Sequence, residues 1–584
     1  MKSWERRKIF CPDNRVMQNE GKLKNRVILH LTAIVVFIFS AWFITQRQHI
    51  FIYDEVGYLS TGAYIAGYDW SEIAKSYSYY SFGYGLFISI FIKIFNTKEQ
   101  IYFAILLLNA FLNVLNFYLE FVCTKKVFAE INERVIILCC FTSSLYISNL
   151  VYINVIMPEI MLTSFFWAII YLLEKYMEEK KPITVAFLAI LCGLMFWIHM
   201  RTIAILFSVG LIGIFLCVKG KIRKSHVIEF VILFVSIIVA GAFAREYIKN
   251  GLWGKARDLA ALNSNDVGGR INQVIELITS PHLWKTFLLS ISAKIYYTVF
   301  SSIGVVFLGI YFAIKQYRKR EEKHKIIFAF LLCSYVFAMI INCVAMAVPD
   351  KWDRLFWGRY VEYIWGPFLI LGLLCLFFCK KKDNIRNIMI IIFLQSVLFF
   401  AVAKIIQSTE FQDSIAFCSL GITIYDRTEF AEFSLERLSQ LLVLLLTIIL
   451  LFTQWNKKAG FLAVNVLLVC IWVSSSSYYI GKRIADVNDA EEEQEEILTG
   501  CLLDNHKGEN IYFYTDGFEA GTYNFMSDTK FLLQDYPIIH IDSSEIENYN
   551  TDNSFCIMRS GNVSDMKDFE ILAEQNGYSL LRLN

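Results

Sequence analysis

Residues 26–46, RVILHLTAIVVFIFSAWFITQ, followed at 51–59 by FIYDEVGYL, decide how the rest of the chain is read. The first stretch is apolar and long enough to cross a bilayer, for which a helix needs roughly 20 residues over about 30 Å of hydrocarbon. It follows a basic segment and ends in Gln46-Arg47-Gln48 with no small-x-small site, so it is expected to stay as the first membrane helix and not to be cleaved as a signal. Directly beyond it Asp54 and Glu55 stand where water meets lipid.

Runs of the same kind recur as far as Gly481. The chain of 584 residues is 56% hydrophobic and 18% charged, with a mean hydropathy of +0.48, whereas soluble domains carry roughly a quarter charged residues. A water-soluble globule is excluded, and the fold class is a polytopic α-helical membrane protein. The apolar runs predict about 13 transmembrane helices: 27–46, 100–123, 134–152, 158–174, 183–200, 203–218, 227–244, 286–314, 326–348, 361–379, 388–404, 436–453 and 460–480. A net charge of +2 gives no field that would recruit nucleic acid. The 14 Cys are scattered through apolar runs, which points neither to a disulfide framework nor to zinc. No GxxxxGK[ST] or GxGxxG cradle is present, so nucleotide-driven chemistry has no visible site.

Lys and Arg in short loops favour the cytoplasmic side. With residues 1–26 as a cytoplasmic basic N-terminus, Lys125-Lys126, Lys180-Lys181, 219–224, 315–325, 380–386 and Lys457-Lys458 all fall inside, provided 82–95 is an interfacial or re-entrant helix. The body 27–481 then carries its long loops 47–99, 245–285 and 405–435 outside. From 482 the composition is that of a soluble domain, predicted as a small α/β extracytoplasmic unit over 482–584. Strands are expected at 511–514, 538–541 and 555–558, a helix at 564–576 before SLLRL, and a solvated acidic face at 491–496.

The chemistry is expected in outer loops 47–99, 153–159 and 349–362. Asp54, or Glu55, is placed to take a proton from an acceptor hydroxyl, or simply to cap a helix amid an aromatic belt that includes Tyr53 and Tyr58. Tyrosine rings that anchor a helix also offer stacking faces to a sugar. Glu159 follows Pro158 at a helix start, where dipole complementation alone would explain it, but it opens on the same side as Asp54 and Glu55. Arg201, after His199, interrupts the apolar stretch 183–218 and is either functional or snorkelling at a hairpin. In Lys351-Trp352-Asp353-Arg354-Leu355-Phe356-Trp357-Gly358-Arg359-Tyr360 three cations stand outside against the inside bias, a set suited to a phosphate or to a charge-balanced loop. Asn109, Asn113, Asn116 and Glu120 share one helix face, read as interhelical hydrogen bonding. Lys294 is read as snorkelling, with a phosphate contact as the alternative.

YDEVGYLSTGAYIAGYDW (53–70), YINVIMPEIM (152–161), GLMFWIHMRT (193–202) and DRLFWGRYVE (353–362) together resemble the GT-C membrane glycosyltransferases, the superfamily of the protein O-mannosyltransferases and the bacterial aminoarabinose transferase. The resemblance covers roughly 27–380. It implies inverting transfer of a hexosyl or pentosyl group from a polyprenyl-phosphate sugar to a cell-envelope acceptor, whether glycan, lipid or protein, on the outer face of the membrane, and the Lys- and Ile-rich composition points to a bacterial plasma membrane. Asp54 matches the catalytic base and Glu159 the second acid, which in relatives binds acceptor or metal. Arg201, Lys351, Arg354 and Arg359 are the choices for the donor phosphate, with Tyr53, Tyr58, His199 and Tyr360 lining the substrate. No cofactor is required by the reading, and a divalent metal, Mg or Mn, stays open with Asp54 and Glu159 as its ligands. The alternatives are a flippase of lipid-linked sugar and a polysaccharide polymerase or ligase.

Overall fold

A computed structural model describes residues 14–46, 49–75, 78–254, 267–347, 352–407, 417–424, 435–486, 489, 494–506, 509–515, 520–534, 536, 538–542, 554–565 and 569–583. Among them, eight helices are long and apolar enough to cross a membrane, or up to 11 if three bent pairs each count as one span. Two expected spans, 183–200 and 436–453, fall on shorter apolar helices, as does 82–95, which forms Phe82–Ile94. Length and composition therefore support a multi-pass helical membrane protein with fewer certain crossings than 13.

The predicted span 286–314 is two helices, Pro281–Ser301 and Val305–Lys319, set at 101°. Ile303 (φ 51) and Gly304 (φ 75) are both left-handed, and Gly304 N returns to Val299 O at 2.8 Å, which closes the first helix as an αL cap does. The second break, 56° between Glu133–Ser144 and Ile147–Ile153, is stitched by the polar stripe. Asn113 Nδ2 donates to Ser144 O at 3.3 Å and to Ser40 Oγ at 3.0 Å, and Glu120 accepts from Ser143 Oγ at 3.1 Å and Ser144 Oγ at 3.2 Å. Higher up, Asn109 Nδ2 donates to Ile153 O at 3.3 Å and Val155 O at 3.1 Å. Three of the four residues of the stripe thus bond to neighbouring segments, whereas Asn116 is buried with neither side-chain polar atom hydrogen-bonded.

The basic loops meet at one end of the bundle. Lys126 pairs with Glu178 at 3.0 Å, Lys221 with Glu322 at 2.6 Å, Lys315 with Asp383 at 3.2 Å, and Arg320 with Glu130. At the other end sit the acidic loops and the C-terminal domain. Its five-stranded sheet has the order β2-β1-β3-β5-β4, with β1 Ile511–Thr515, β2 Ile538–Asp542, β3 Ser554–Arg559, β4 Phe569–Gln575 and β5 Tyr578–Leu583. β1 runs parallel to β2 and β3, and β5 antiparallel to β3 and β4. The expected helix 564–576 is instead the end of a 3-10 turn and β4. Asn576 (φ 50) and Gly577 (φ 78) explain the difference: an Asn-Gly pair with both φ positive is the two-residue hairpin turn that joins two antiparallel strands. Glu491 to Glu493 of the acidic run, and Lys351, lie outside the described residues.

Candidate active site

The helix Tyr53–Ala66 starts where Ile52 is still extended (φ −131, ψ 139). Its first turn needs acceptors for its free amides, and Glu55 supplies them by folding back: Oε2 accepts from Phe51 N at 2.8 Å and Ile52 N at 3.0 Å. Its other oxygen, Oε1, accepts from Ile156 N at 2.7 Å in the loop that carries Glu159. Glu55 is fully buried, with both oxygens committed to backbone. The neighbouring carboxyl, Asp54, points the other way and keeps 26% of its side chain exposed.

Asp54 is held on two sides. Tyr80 Oη donates to Oδ1 at 2.7 Å, and Arg359 Nη1 donates to Oδ2 at 2.7 Å. Tyr80 reaches this position because residue 57 is glycine: a Cβ there would stand 2.0 Å from the Tyr80 ring. Burial, and then the Asp54 carboxylate beside it, push the Tyr80 hydroxyl well above its ordinary range, so it serves as a donor. Tyr58, expected to line the substrate, is 1% exposed and packs beneath, with ring centroids 5.2 Å from Tyr80 and 5.4 Å from Tyr84. Tyr53 is half-buried at the start of the same helix.

Glu159 opens the helix Glu159–Glu179 directly after Pro158. Its Oε1 accepts from Arg359 Nε at 2.6 Å and from Arg201 Nη2 at 2.9 Å. Arg201 sits in the tight turn Met200–Thr202 between the helices Pro182–Ile198 and Ile203–Val218, aimed inward and 6% exposed, so snorkelling does not describe it. The Tyr360 and Tyr363 rings lie 5.1 and 5.4 Å from its guanidinium carbon. Its Nε and Nη1, and Glu159 Oε2, are buried without a hydrogen-bond partner. His199 Nδ1 accepts from Arg201 N at 3.2 Å and thereby caps the turn, with its ring 6.2 Å from that of Tyr360.

Four charged groups from four separate parts of the chain thus alternate in sign: Asp54, Arg359, Glu159 and Arg201. Arg354 is not bonded into this row; its guanidinium lies over the Trp357 ring at 5.4 Å, and Trp357 in turn stacks on Tyr360 at 6.0 Å and 5°. Lys294 is fully buried and donates to Trp357 O at 3.1 Å, an anchor for the segment before Arg359 and not a snorkelling group.

Sequence reasoning missed Glu362. It accepts from the hydroxyls of Tyr297 at 2.7 Å, Tyr146 at 3.3 Å and Tyr152 at 3.4 Å. The same tyrosines hold the outer segment 417–424: Tyr152 Oη donates to Phe417 O at 3.3 Å, and Tyr297 Oη accepts from Gly421 N at 3.0 Å. Phe417 then covers Arg359, ring to guanidinium carbon 5.6 Å. The only signal for Glu362 was an acid at the edge of an apolar run.

The site as arranged does not fit a divalent cation. One guanidinium occupies the space between Asp54 and Glu159 and hydrogen-bonds to both, and no group of three His, Cys, Asp or Glu converges among the described residues.

No protein-family model matches the chain, and no curated protein matches it. Among solved structures, the chain is similar to ArnT from Cupriavidus metallidurans bound to undecaprenyl phosphate, with 9% identity over 95% of this chain and 97% of that one and a TM-score of 0.51. The apo form of the same protein gives the same figures. The apo oligosaccharyltransferase from Archaeoglobus fulgidus is 12% identical over 92% of this chain and 70% of that one, at a TM-score of 0.47. The likeness to ArnT shows a shared fold over nearly the whole of both chains.

Proposed function

We propose that this chain is an inverting glycosyltransferase that moves a sugar from a polyprenyl-phosphate donor to a hydroxyl or amine acceptor at the outer face of the membrane. The observation that carries the reading is the alternating row Asp54, Arg359, Glu159 and Arg201, open to solvent at Asp54 and with two Arg201 donors unused at the other end. ArnT, whose fold it shares, has been solved with undecaprenyl phosphate.

In the proposed reaction the donor phosphate draws Arg359 and Arg201 to itself, using the spare Arg201 donors, and so releases Asp54 from its ion pair. The acceptor oxygen or nitrogen attacks the anomeric carbon while its proton passes to Asp54. The bond from that carbon to the phosphate oxygen breaks, and its electron pair leaves with the polyprenyl phosphate, whose growing charge the two guanidinium groups meet. Glu159 holds both arginines in place. A donor activated as a phosphate ester needs no nucleotide. Tyr360, Trp357 and the nearby Arg354 form a ladder suited to the sugar and its phosphate.

The gathering of basic loops at one end of the bundle, read as cytoplasmic on the positive-inside rule, supports an outer position for this site and the C-terminal domain. The test is release of polyprenyl phosphate in reconstituted membranes from a panel of undecaprenyl-phosphate hexose, pentose and aminopentose, supplied with envelope extract as acceptor. Consumption of one of them supports transfer, whereas movement of lipid-linked sugar between leaflets with none consumed favours the flippase.

A further inference from the structure

Three consecutive main-chain amides precede the acid pair, and each is held by a carboxylate. Phe51 N and Ile52 N go to Glu55 at 2.8 and 3.0 Å. Ile50 N goes to Asp528 Oδ2 at 3.1 Å, across 478 residues of chain. Asp528 belongs to the helix Ala520–Leu532 of the C-terminal domain and is fully buried. Its carboxylate also faces His49 Nδ1 at 3.7 Å and Lys98 Nζ at 3.9 Å, which stand 3.1 Å from each other. Phe531, one turn farther on, packs edge-on against Trp70 at 4.7 Å and Tyr102 at 6.0 Å. Lys75 Nζ adds a bond to His540 O on β2 at 3.1 Å.

Burying ionisable groups carries a large desolvation penalty, and apolar contact alone would hold two domains together as well or better. What charge adds is registry. The Asp528 bond falls on Ile50 N, next in line to the two amides that Glu55 holds ahead of Asp54. Lys98, in the same cluster, begins the helix whose Asn109 holds the Glu159 loop through Ile153 O and Val155 O. Both acids of the site are therefore indexed to one buried joint.

We infer that Asp528 is a positioning residue for Asp54, so that the C-terminal domain is part of the framework of the active site and not only a module that selects acceptors. The inference rests on the reading of Asp54 as the base. Losing the bond frees Ile50 and lets the start of the helix Tyr53–Ala66 shift; a displacement of about 1 Å at a reacting group costs up to about a hundredfold in rate. Asp528 touches no reacting atom, so the loss appears in kcat and leaves donor binding alone.

The experiment uses the full-length protein in nanodiscs, with Asp528→Ala, Asp528→Asn and, as control, Arg582→Ala, an exposed residue on β5. Hydrogen exchange at amides 50–52 is measured beside kcat and KM on whichever donor of the panel the intact protein consumes. Exchange is expected to rise at least about tenfold in Asp528→Ala, with kcat down about tenfold or more and KM within about twofold of the intact protein. Asp528→Asn keeps an oxygen for Ile50 N and is expected to recover part of both, which also makes it the reporter if the alanine variant does not fold. Unchanged exchange, or faster exchange with unchanged kcat, overturns the inference. If the intact protein consumes no donor, the glycosyltransferase reading fails by itself, and exchange at 50–52 still decides whether Asp528 orders this segment.

Discussion

Arg359 and Asp54 lie 305 residues apart and meet at 2.7 Å, Nη1 to Oδ2, while Nε of the same guanidinium reaches Glu159 at 2.6 Å. One side chain thus bridges the two segments that carry the acids of the proposed reaction. A planar fork can do this because its donors diverge in a fixed geometry, whereas an ammonium is a point charge.

Arg359→Lys is expected to lose one of the two contacts and to lower turnover by about ten- to a hundredfold, as charge-assisted bonds of this kind are worth roughly 1.5–3 kcal/mol. Initial rates at saturating donor check this. Wild-type rates would reduce the bridge to packing.

Glu55→Gln separates the roles of the acid pair. An amide cannot serve all three amides that Glu55 now holds, since its NH2 end would face an N–H. The variant is expected to lose about 1–3 kcal/mol of stability, seen as a lower melting temperature in detergent. Asp54→Asn should melt as the intact protein does. Equal melting of both variants would contradict the cap.

Gly57→Ala places a Cβ against the Tyr80 ring and must push Tyr80 away from Asp54. Overpacking of this kind costs about 1–3 kcal/mol. Turnover is expected to fall, and turnover at the rate of the intact protein would contradict a role for the contact between Tyr80 and Asp54.

Arg201→Gln removes the guanidinium whose Nε and Nη1 stand unused. Affinity for undecaprenyl phosphate, measured by microscale thermophoresis in nanodiscs, is expected to drop about tenfold. Unchanged affinity would confine Arg201 to holding Glu159.

How much of this could be read in advance depends on what each residue leaves in the sequence. Asp54, Glu159, Arg201 and Arg359 stand out because a charge in or beside an apolar run is costly and must be answered for. Tyr80 does not, being one tyrosine among many, and only its fit over Gly57 distinguishes it. Glu55 is as visible as Asp54, yet nothing in YDEV says which acid turns back to cap the helix; that is settled by the approach of Ile156 from another loop. Asp528 carries no local signal at all, since its partners Ile50, His49 and Lys98 are more than 400 positions away in the sequence. The break at Ile303-Gly304 lies inside one long, mostly apolar run, where hydropathy is blind to direction. The hairpin at Asn576-Gly577 is legible in the pair itself, which straddles the end of the stretch 564–576 read as helical.

The most direct measurement of the central claim compares the intact protein with Asp54→Asn for release of polyprenyl phosphate from its preferred donor, both reconstituted at matched insertion. The substitution keeps the shape of the side chain and removes the base, so release is predicted to fall by at least about a hundredfold while undecaprenyl phosphate still binds. Release by Asp54→Asn at the rate of the intact protein would contradict the account.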